Sequence, residues 1–247
     1  PMSKRTSSLE LVLIAANAAL YAGVGYLTFL GIFAPVVGTV RFWPAVVIPA
    51  VFAVLFSPKI GALGAGLGIF ISDMLIHGDP VLSISVGVTS NVAGFYILGV
   101  LARRLASSQR VSVLPVLLQA APLAAALAGS WADIFGGWES ASIFIGAGVL
   151  SLVISVAYSF YRPRYSGLVA ASSTGLIVGS AMIGLGVWLY SQFFSLPAAA
   201  GGGHGLPLYA AAIWFLWTYL TEIPFLMILL PPLVAAVRKA VPSVARE

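Results

Sequence analysis

Residues 207–239, PLYAAAIWFLWTYLTEIPFLMILLPPLVAAVRK, decide the fold class of this chain. The run from Pro207 to Val237 is apolar apart from one charged residue, Glu222, and it is followed by Arg238 and Lys239. A helix needs about 20 apolar residues to cross the hydrocarbon core of a bilayer. The stretch therefore predicts a membrane-spanning helix, and its basic end indicates the cytoplasmic side.

Composition extends this prediction to the whole chain of 247 residues. Hydrophobic residues make up 60%, charged residues make up 8%, and the mean hydropathy is +1.06. A soluble domain has about a quarter charged residues, so this chain has too few to cover a water-facing surface. Lipid permits only helices or closed barrels as spans, and continuous apolar runs are not the alternating segments of a barrel. We therefore predict one all-α transmembrane domain over residues 1–247.

Turn and charge signals divide the chain into apolar segments, from which we predict six to eight transmembrane helices, with eight favoured. The segments are 9–34, 42–57, 60–77, 82–103, 112–130, 139–160, 166–192 and 207–237. Two of them, 42–57 and 112–130, contain internal prolines. Each of these two is expected either to span the membrane with a kink or to be partly re-entrant.

The basic residues predict the orientation of the bundle. If the N-terminus is cytoplasmic, Arg41 is the only basic residue on the outer side. The others all fall on the inner side: Lys4, Arg5, Lys59, Arg103, Arg104, Arg110, Arg162, Arg164, Arg238, Lys239 and Arg246. This bias predicts an even number of crossings, cytoplasmic termini and a multi-pass protein of the cell membrane. It also accounts for the net charge of +5, so no nucleic-acid partner is expected. The first apolar run is longer than that of a cleavable signal, so we expect no such signal.

The tryptophans are distributed unequally as well. In this topology they all lie in the outer half: Trp43, Trp131, Trp138, Trp188, Trp214 and Trp217. Since interfacial belts usually occupy both membrane surfaces, these residues are expected either to form a belt or to line an outward-facing pocket. Arg41 directly precedes Phe42 and Trp43, an arrangement that suits an anionic or aromatic solute. Contact with a lipid headgroup is the alternative for Arg41.

Ionisable groups inside the hydrocarbon are candidate functional residues, because each costs about 3 kcal/mol unless it is paired or solvated. Glu222 is expected to be a ligand contact or a proton site, or else to stabilise a proline kink. Asp73 and His77 share one helix face, either in a site or at a solvated helix end. His204 lies in a glycine-rich outer loop, and with His77 and Asp79 it gives only a weak metal pattern. We predict no metal and no cofactor.

No arrangement of residues typical of an enzyme is present. The chain lacks Gly-x-Ser-x-Gly, His-Glu-x-x-His and a phosphate-binding loop, so it is not expected to be an enzyme or to hydrolyse ATP. Uphill transport would need an ion gradient or a partner ATPase.

The first segment carries a stripe of small residues, Ala15, Ala19 and Ala22, at helical spacing. Such a stripe lets a second helix approach closely. That helix belongs either to this protein or to a separate membrane subunit.

Four passages together resemble the S-components of energy-coupling factor (ECF) transporters, the membrane subunits that bind vitamins and related micronutrients. They are the alanine stripe, AVLFSPKIGALGAGLG at 53–68 followed by Asp73, SNVAGF at 90–95 followed by Arg103-Arg104, and the C-terminal Glu222-Ile223-Pro224 and PPLV at 231–234. The glycines of 61–68 are expected to give smooth surfaces for helix packing. The resemblance covers 11–104 and 220–240, and typical members have six helices rather than eight.

The resemblance implies a protein that binds a small water-soluble vitamin at its outer face and delivers it with a transmembrane coupling subunit and two cytoplasmic ATPases. It implies that Ala15, Ala19 and Ala22 contact the coupling subunit. The predicted substrate-binding residues are Arg41, Trp43, Asp73, His77, Asn91, Trp131, Trp138, His204, Trp214 and Glu222. A structural subunit of a larger membrane complex and a stand-alone ion-coupled carrier are the alternatives.

Overall fold

The computed structural model describes residues 8–31, 36–37, 40–105 and 113–240, with the backbone alone at 36–37 and 40–41. In this part of the chain, seven helices are long and apolar enough to cross a membrane, and a shorter apolar helix covers Pro44–Leu55. The prediction of an all-α, multi-pass transmembrane bundle is confirmed.

Each predicted segment contains one helix. The helices are α1 (Ser8–Phe29), α2 (Val47–Leu55, preceded by a 3-10 turn), α3 (Pro58–Ile76), α4 (Pro80–Leu105), α5 (Leu114–Trp131), α6 (Trp138–Tyr161), α7 (Ser166–Phe193) and α8 (Tyr209–Ala240). The predicted first segment continues to 34, whereas α1 ends at Phe29. Gly31 follows at φ +75°, a backbone conformation that glycine adopts without strain.

A short hairpin joins α1 to α2. Its strands are β1 (Val36–Val37) and β2 (Val40–Arg41), which pair antiparallel with Val36 opposite Arg41. The side chain of Arg41 lies outside the described residues.

Helix α2 differs from the other helices because protein surrounds it. With its 3-10 turn it covers about 18 Å at about 1.5 Å per residue, less than the roughly 30 Å of the hydrocarbon core. It packs against α1, α3, α4 and α8, and Ala45, Ala50 and Ala53 are at most 1% exposed. A helix enclosed in this way needs no lipid-facing length, which explains why its segment is shorter than the others.

The glycines of α3 allow three neighbours to approach it closely. A methyl group at Gly61 would overlap Ala53 of α2, one at Gly64 would overlap Asn17 of α1, and one at Gly66 would overlap Val92 of α4. The expected close packing around residues 61–68 is confirmed.

Short connections make successive helices run in opposite directions. The described basic side chains consequently gather at one end of the bundle: Lys59, Arg103, Arg104, Arg162, Arg164, Arg238 and Lys239. Two contacts connect distant segments there. Arg103 donates to the carbonyl of Phe56, and Arg162 lies beside Pro231 and Pro232. We call this the basic end.

Candidate functional site

A cavity of about 630 Å³ lies among α1, α3, α4, α7 and α8, toward the end opposite the basic end. Its volume is within the usual range for small-molecule sites. Residues 198–201, in the loop after α7, form part of its wall. That loop is folded, since the Leu196 amide donates to the Gly203 carbonyl at 2.8 Å and the Gly205 amide donates to the Ser191 carbonyl at 2.7 Å.

Aromatic side chains form much of the cavity wall: Tyr21, Phe29, Trp43, Phe95, Trp214 and Trp217. The rings of Trp214 and Trp217 have centroids 6.4 Å apart, and Tyr21 meets Phe95 edge to face at 6.2 Å. The Trp43 amide donates to the Thr221 carbonyl at 3.3 Å, which attaches the start of the α2 turn to α8. The cavity therefore offers flat apolar surfaces suited to a ring-bearing solute.

A hydrogen-bond chain fixes the polar groups of α1 and α4. The Tyr21 hydroxyl donates to Asn91 Oδ1 at 2.9 Å, and Asn91 Nδ2 donates to the carbonyl of Gly87 at 2.9 Å. Gly87 belongs to a π-helical stretch, Ser83–Val88, a distortion often found at functional sites. A side chain on Gly87 would collide with Asp73, so this glycine lets the Asp73 carboxylate approach α4.

The Asp73 carboxylate has partners within the protein. It accepts a hydrogen bond from the Ser83 hydroxyl at 2.7 Å, and His77 Nε2 lies 3.6 Å from its other oxygen. His77 Nδ1 in turn accepts the backbone N–H of Asp79 at 3.1 Å. This arrangement holds the His77 ring with Nε2 toward Asp73.

Asp79 connects α4 to α7 at the rim of the cavity. It caps α4 by accepting from the amides of Val81 and Leu82, both at 3.0 Å, and it accepts from the Tyr190 hydroxyl at 2.6 Å. Burial raises the pKa of Asp79, but the hydrogen bonds from Leu82, Tyr190 and Val81 together outweigh this effect and place it below its ordinary value.

Glu222 is the second carboxylate of the cavity, near the middle of α8. It is half-buried and faces the cavity, and both Glu222 and Asp73 are close enough to Tyr21 to interact with it electrostatically. Among the described residues, no hydrogen bond and no ion pair reaches the Glu222 carboxylate, in contrast to Asp73.

The structure brings six of the predicted site residues to the cavity wall: Trp43, Asp73, His77, Asn91, Trp214 and Glu222. They come from separate parts of the chain and surround one space. Whether they bind a substrate stays a prediction.

The remaining predicted residues lie elsewhere. Trp131 and Trp138 are 93% and 71% exposed at the ends of α5 and α6, where an interfacial role suits them better than a pocket role. His204 is exposed in the loop after α7, away from the cavity wall, and the Arg41 side chain lies outside the described residues.

The predicted alanine stripe is divided between two faces of α1. Ala15 and Ala19 are exposed, whereas Ala22 is only 5% exposed and belongs to the interior. Ala22 is therefore not available to a separate subunit in this structure. Gly23 continues the exposed stripe one turn after Ala19.

Sequence reasoning did not single out Tyr21, Ser90, Ser180 or Thr218, all of which line the cavity. Their residue types are ordinary in membrane helices. Ser180 lies in a run of small residues in α7 that is equally typical of helix packing, so no local signal distinguishes its role.

Within the described residues, no group of three or more His, Cys, Asp or Glu side chains is arranged to hold a metal ion. His204 does not join His77 and Asp79. Comparison of the chain with protein-family models, curated proteins and solved structures finds no match.

Proposed function

We propose that this chain is a membrane-embedded binding protein for a small water-soluble solute, and that it serves as the S-component of an ECF-type importer in the cell membrane. The observation that carries the proposal is the cavity of about 630 Å³, which combines an aromatic wall with Asp73, His77 and Glu222. Ionisable residues at membrane depth are costly and are usually retained for function.

The position of the cavity supports uptake from outside. It lies toward the end opposite the basic end, and basic loops favour the cytoplasmic side. A solute would then enter beside the loop after α7, whose residues 198–201 form part of the cavity wall.

The exposed face of α1 supports contact with a coupling subunit. Ala15, Ala19 and Gly23 leave a shallow surface, and a side chain added at Gly23 would meet nothing within 4 Å. Another membrane helix could approach this surface closely. We propose that Ala15 and Ala19, but not Ala22, contact the coupling subunit.

A stand-alone ion-coupled carrier is the second candidate. The Asp73–His77 pair at 3.6 Å and the unpaired Glu222 carboxylate favour it, because both are groups that can exchange a proton beside a solute. In this candidate the chain needs no ATPase.

The first experiment is native mass spectrometry of the protein purified in mild detergent. A small molecule retained through purification is expected. If none is retained, and none of a panel of vitamins binds by titration calorimetry, the binding function fails and a structural subunit becomes the better interpretation.

The second experiment separates the two transport candidates. The chain is reconstituted alone in liposomes and supplied with the solute that it binds. Uptake that an uncoupler abolishes would support the carrier. Absence of uptake by the chain alone, with co-purification of a membrane subunit and ATPases from native membranes, would support the importer.

A further inference from the structure

Three hydroxyl groups of the cavity wall have already given their protons to the protein. The Tyr21 hydroxyl gives its proton to Asn91 at 2.9 Å, Ser90 gives its proton to the Gly87 carbonyl at 3.0 Å, and Thr221 donates to the Trp217 carbonyl at 2.8 Å. Because a hydroxyl has one proton, these three oxygens can offer only lone pairs to a bound molecule.

The charged groups of the described cavity wall are mainly acidic. Its described wall contains two carboxylates, Asp73 and Glu222, and no lysine or arginine. Asp73 accepts a hydrogen bond from the Ser83 hydroxyl at 2.7 Å, and His77 Nε2 lies 3.6 Å from its other oxygen. Glu222 receives no hydrogen bond from any described residue. Burial disfavours a carboxylate anion without a partner, and a positive charge bound beside Glu222 would stabilise that anion.

The surroundings of Glu222 would accommodate such a charge. The indole rings of Trp43 and Trp217 and the ring of Tyr21 line the same cavity, and aromatic faces attract cations. A polar side chain without a partner lies in the same cavity. The Ser180 hydroxyl lines the cavity, is 0% exposed and has no hydrogen-bond partner in the described structure. Buried polar groups of this kind are normally satisfied.

We infer that the solute of this cavity is an organic cation, such as a protonated amine or amidine or an N-alkylated heteroaromatic ring. Its positive group binds the Glu222 carboxylate, its flat part lies against the tryptophan wall, and a polar group reaches Ser180. The inference rests on the proposed function, since it names the class of solute for the same cavity.

The test compares probes of different charge on the wild-type protein in phosphatidylcholine nanodiscs. Titration calorimetry measures thiamine and 1-methylnicotinamide as cations, riboflavin and nicotinamide as neutral compounds, and biotin and nicotinate as anions. Native mass spectrometry identifies any retained molecule. We expect the tightest ligand, or the retained one, to be a cation.

The other outcomes would contradict either the cation inference alone or the binding function as well. If the tightest or retained ligand is neutral or anionic, the cation inference is overturned while the binding function stands. If an anion binds best and Arg41→Ala abolishes its binding, Arg41 supplies the positive charge and the inference is again wrong. If nothing binds and nothing is retained, both proposals fail.

A pair of matched variants tests the role of Glu222. Glu222→Gln is expected to weaken binding of the cation by about 30-fold or more, because it removes one member of a buried charge pair. Glu139→Gln makes the same change at an exposed position in the first turn of α6 and is expected to leave the affinity within about twofold. Equal affinities for the two variants would overturn the assignment. The charge ranking on the wild type needs no variant, so it decides the matter even if Glu222→Gln does not fold.

Discussion

The two ends of the helix bundle differ in charge, in tryptophan content and in packing. The basic end carries all seven described Lys and Arg side chains and no tryptophan, whereas the opposite end contains the cavity with three tryptophans and two carboxylates. Close contacts reduce the space at the basic end. A side chain on Gly99 would overlap Pro58, and one on Gly167 would overlap Leu105.

This difference shows how one bundle can hold spaces of different size and character at its two ends. Glycines at the basic end let α2, α3, α4 and α7 approach closely, and a space of about 400 Å³ lies there between α6 and α8. At the other end, aromatic rings form much of the wall of the larger cavity. The asymmetry of charge then selects which end faces the cytoplasm.

Cysteine labelling gives the largest expected effect, because it is all or none. The chain contains no cysteine, so single variants need no background removal. A membrane-impermeant maleimide is expected to label His204→Cys in intact cells and to label Arg162→Cys only after lysis. Both positions are exposed, so both should react in detergent as a control. Labelling of Arg162→Cys in intact cells would reverse the orientation and place the cavity toward the cytoplasm.

Glycine substitutions at the two ends are expected to give the next largest effect. Gly61→Ala forces α3 from α2, and Gly184→Ala forces α7 from α8, because each new methyl group overlaps backbone atoms. Each should lower the free energy of unfolding by about 1–3 kcal/mol, measured by denaturant titration in mixed micelles.

Tryptophan emission separates these two variants. Gly184 faces Ala211 and Phe215 of α8, close in sequence to Trp214, so only Gly184→Ala should shift the emission of the folded protein. Gly23→Ala is the control, since its methyl group would meet nothing within 4 Å. This variant should not destabilise the protein. Equal emission shifts for Gly61→Ala and Gly184→Ala would contradict the independence of the two ends.

Substitutions in a buried hydrogen-bond network between the two ends are expected to have a smaller effect on stability. The Tyr219 hydroxyl donates to Gln119 Oε1 at 2.8 Å, and Gln119 Nε2 donates to the Ser173 hydroxyl at 2.8 Å, which ties α5 to α7 and α8. Gln119→Leu should cost about 1–2 kcal/mol in unfolding experiments, since it removes two hydrogen bonds and leaves the buried Tyr219 hydroxyl without its acceptor, while Ser173 keeps its bond to the Val169 carbonyl.

Tyr219→Phe provides the comparison for this network. It removes one hydrogen bond and leaves only Gln119 Oε1 without its donor, so it should cost about 0.6 kcal/mol, the usual value for such bonds in membranes. A larger loss for Tyr219→Phe than for Gln119→Leu would show that Gln119 is not the centre of the network.

Much of this fold could be predicted from the sequence, because a segment that crosses the bilayer must be helical, long enough to span the hydrocarbon core and apolar along that length. Every predicted segment contains a helix, and the turn at Gly78-Asp79-Pro80 is encoded locally. Gly78 has φ +69°, Asp79 caps α4 and Pro80 begins it. The segment of α2 is already the shortest of the eight, but its enclosure by four other helices could not be read from the sequence.

The site could be predicted only where a residue type is rare in lipid. Asp73 and Glu222 stand out because charge is costly in a membrane, and both reach the cavity. For the tryptophans, the sequence does not distinguish those that line the cavity from those that face outward. Trp214 lines the cavity and Trp131 faces outward, although both occur near helix ends. Which face a tryptophan presents depends on helix rotation within the bundle, and that is set by packing between distant segments.

The smallest expected effect concerns the rim of the cavity, where Tyr190 donates to Asp79 at 2.6 Å. Tyr190→Phe should lower the free energy of unfolding by about 1 kcal/mol at pH 7. This value is on the low side of the range for a hydrogen bond to a charged group, because Asp79 is partly solvated. Tyr96→Phe, at a lipid-facing position of α4 that is half exposed, is the matched control and should be neutral.

The pH dependence of this variant identifies the cause. The pKa of Asp79 is lower in the folded protein than its ordinary value, so its contribution to stability is complete above that ordinary value, about 4, and is lost as the pH falls through the folded pKa. The difference between wild type and Tyr190→Phe should therefore be constant from pH 7 to about 5 and should shrink below about 4. A difference that persists unchanged at low pH would mean that Tyr190 stabilises the rim by packing rather than by its bond to a charged Asp79.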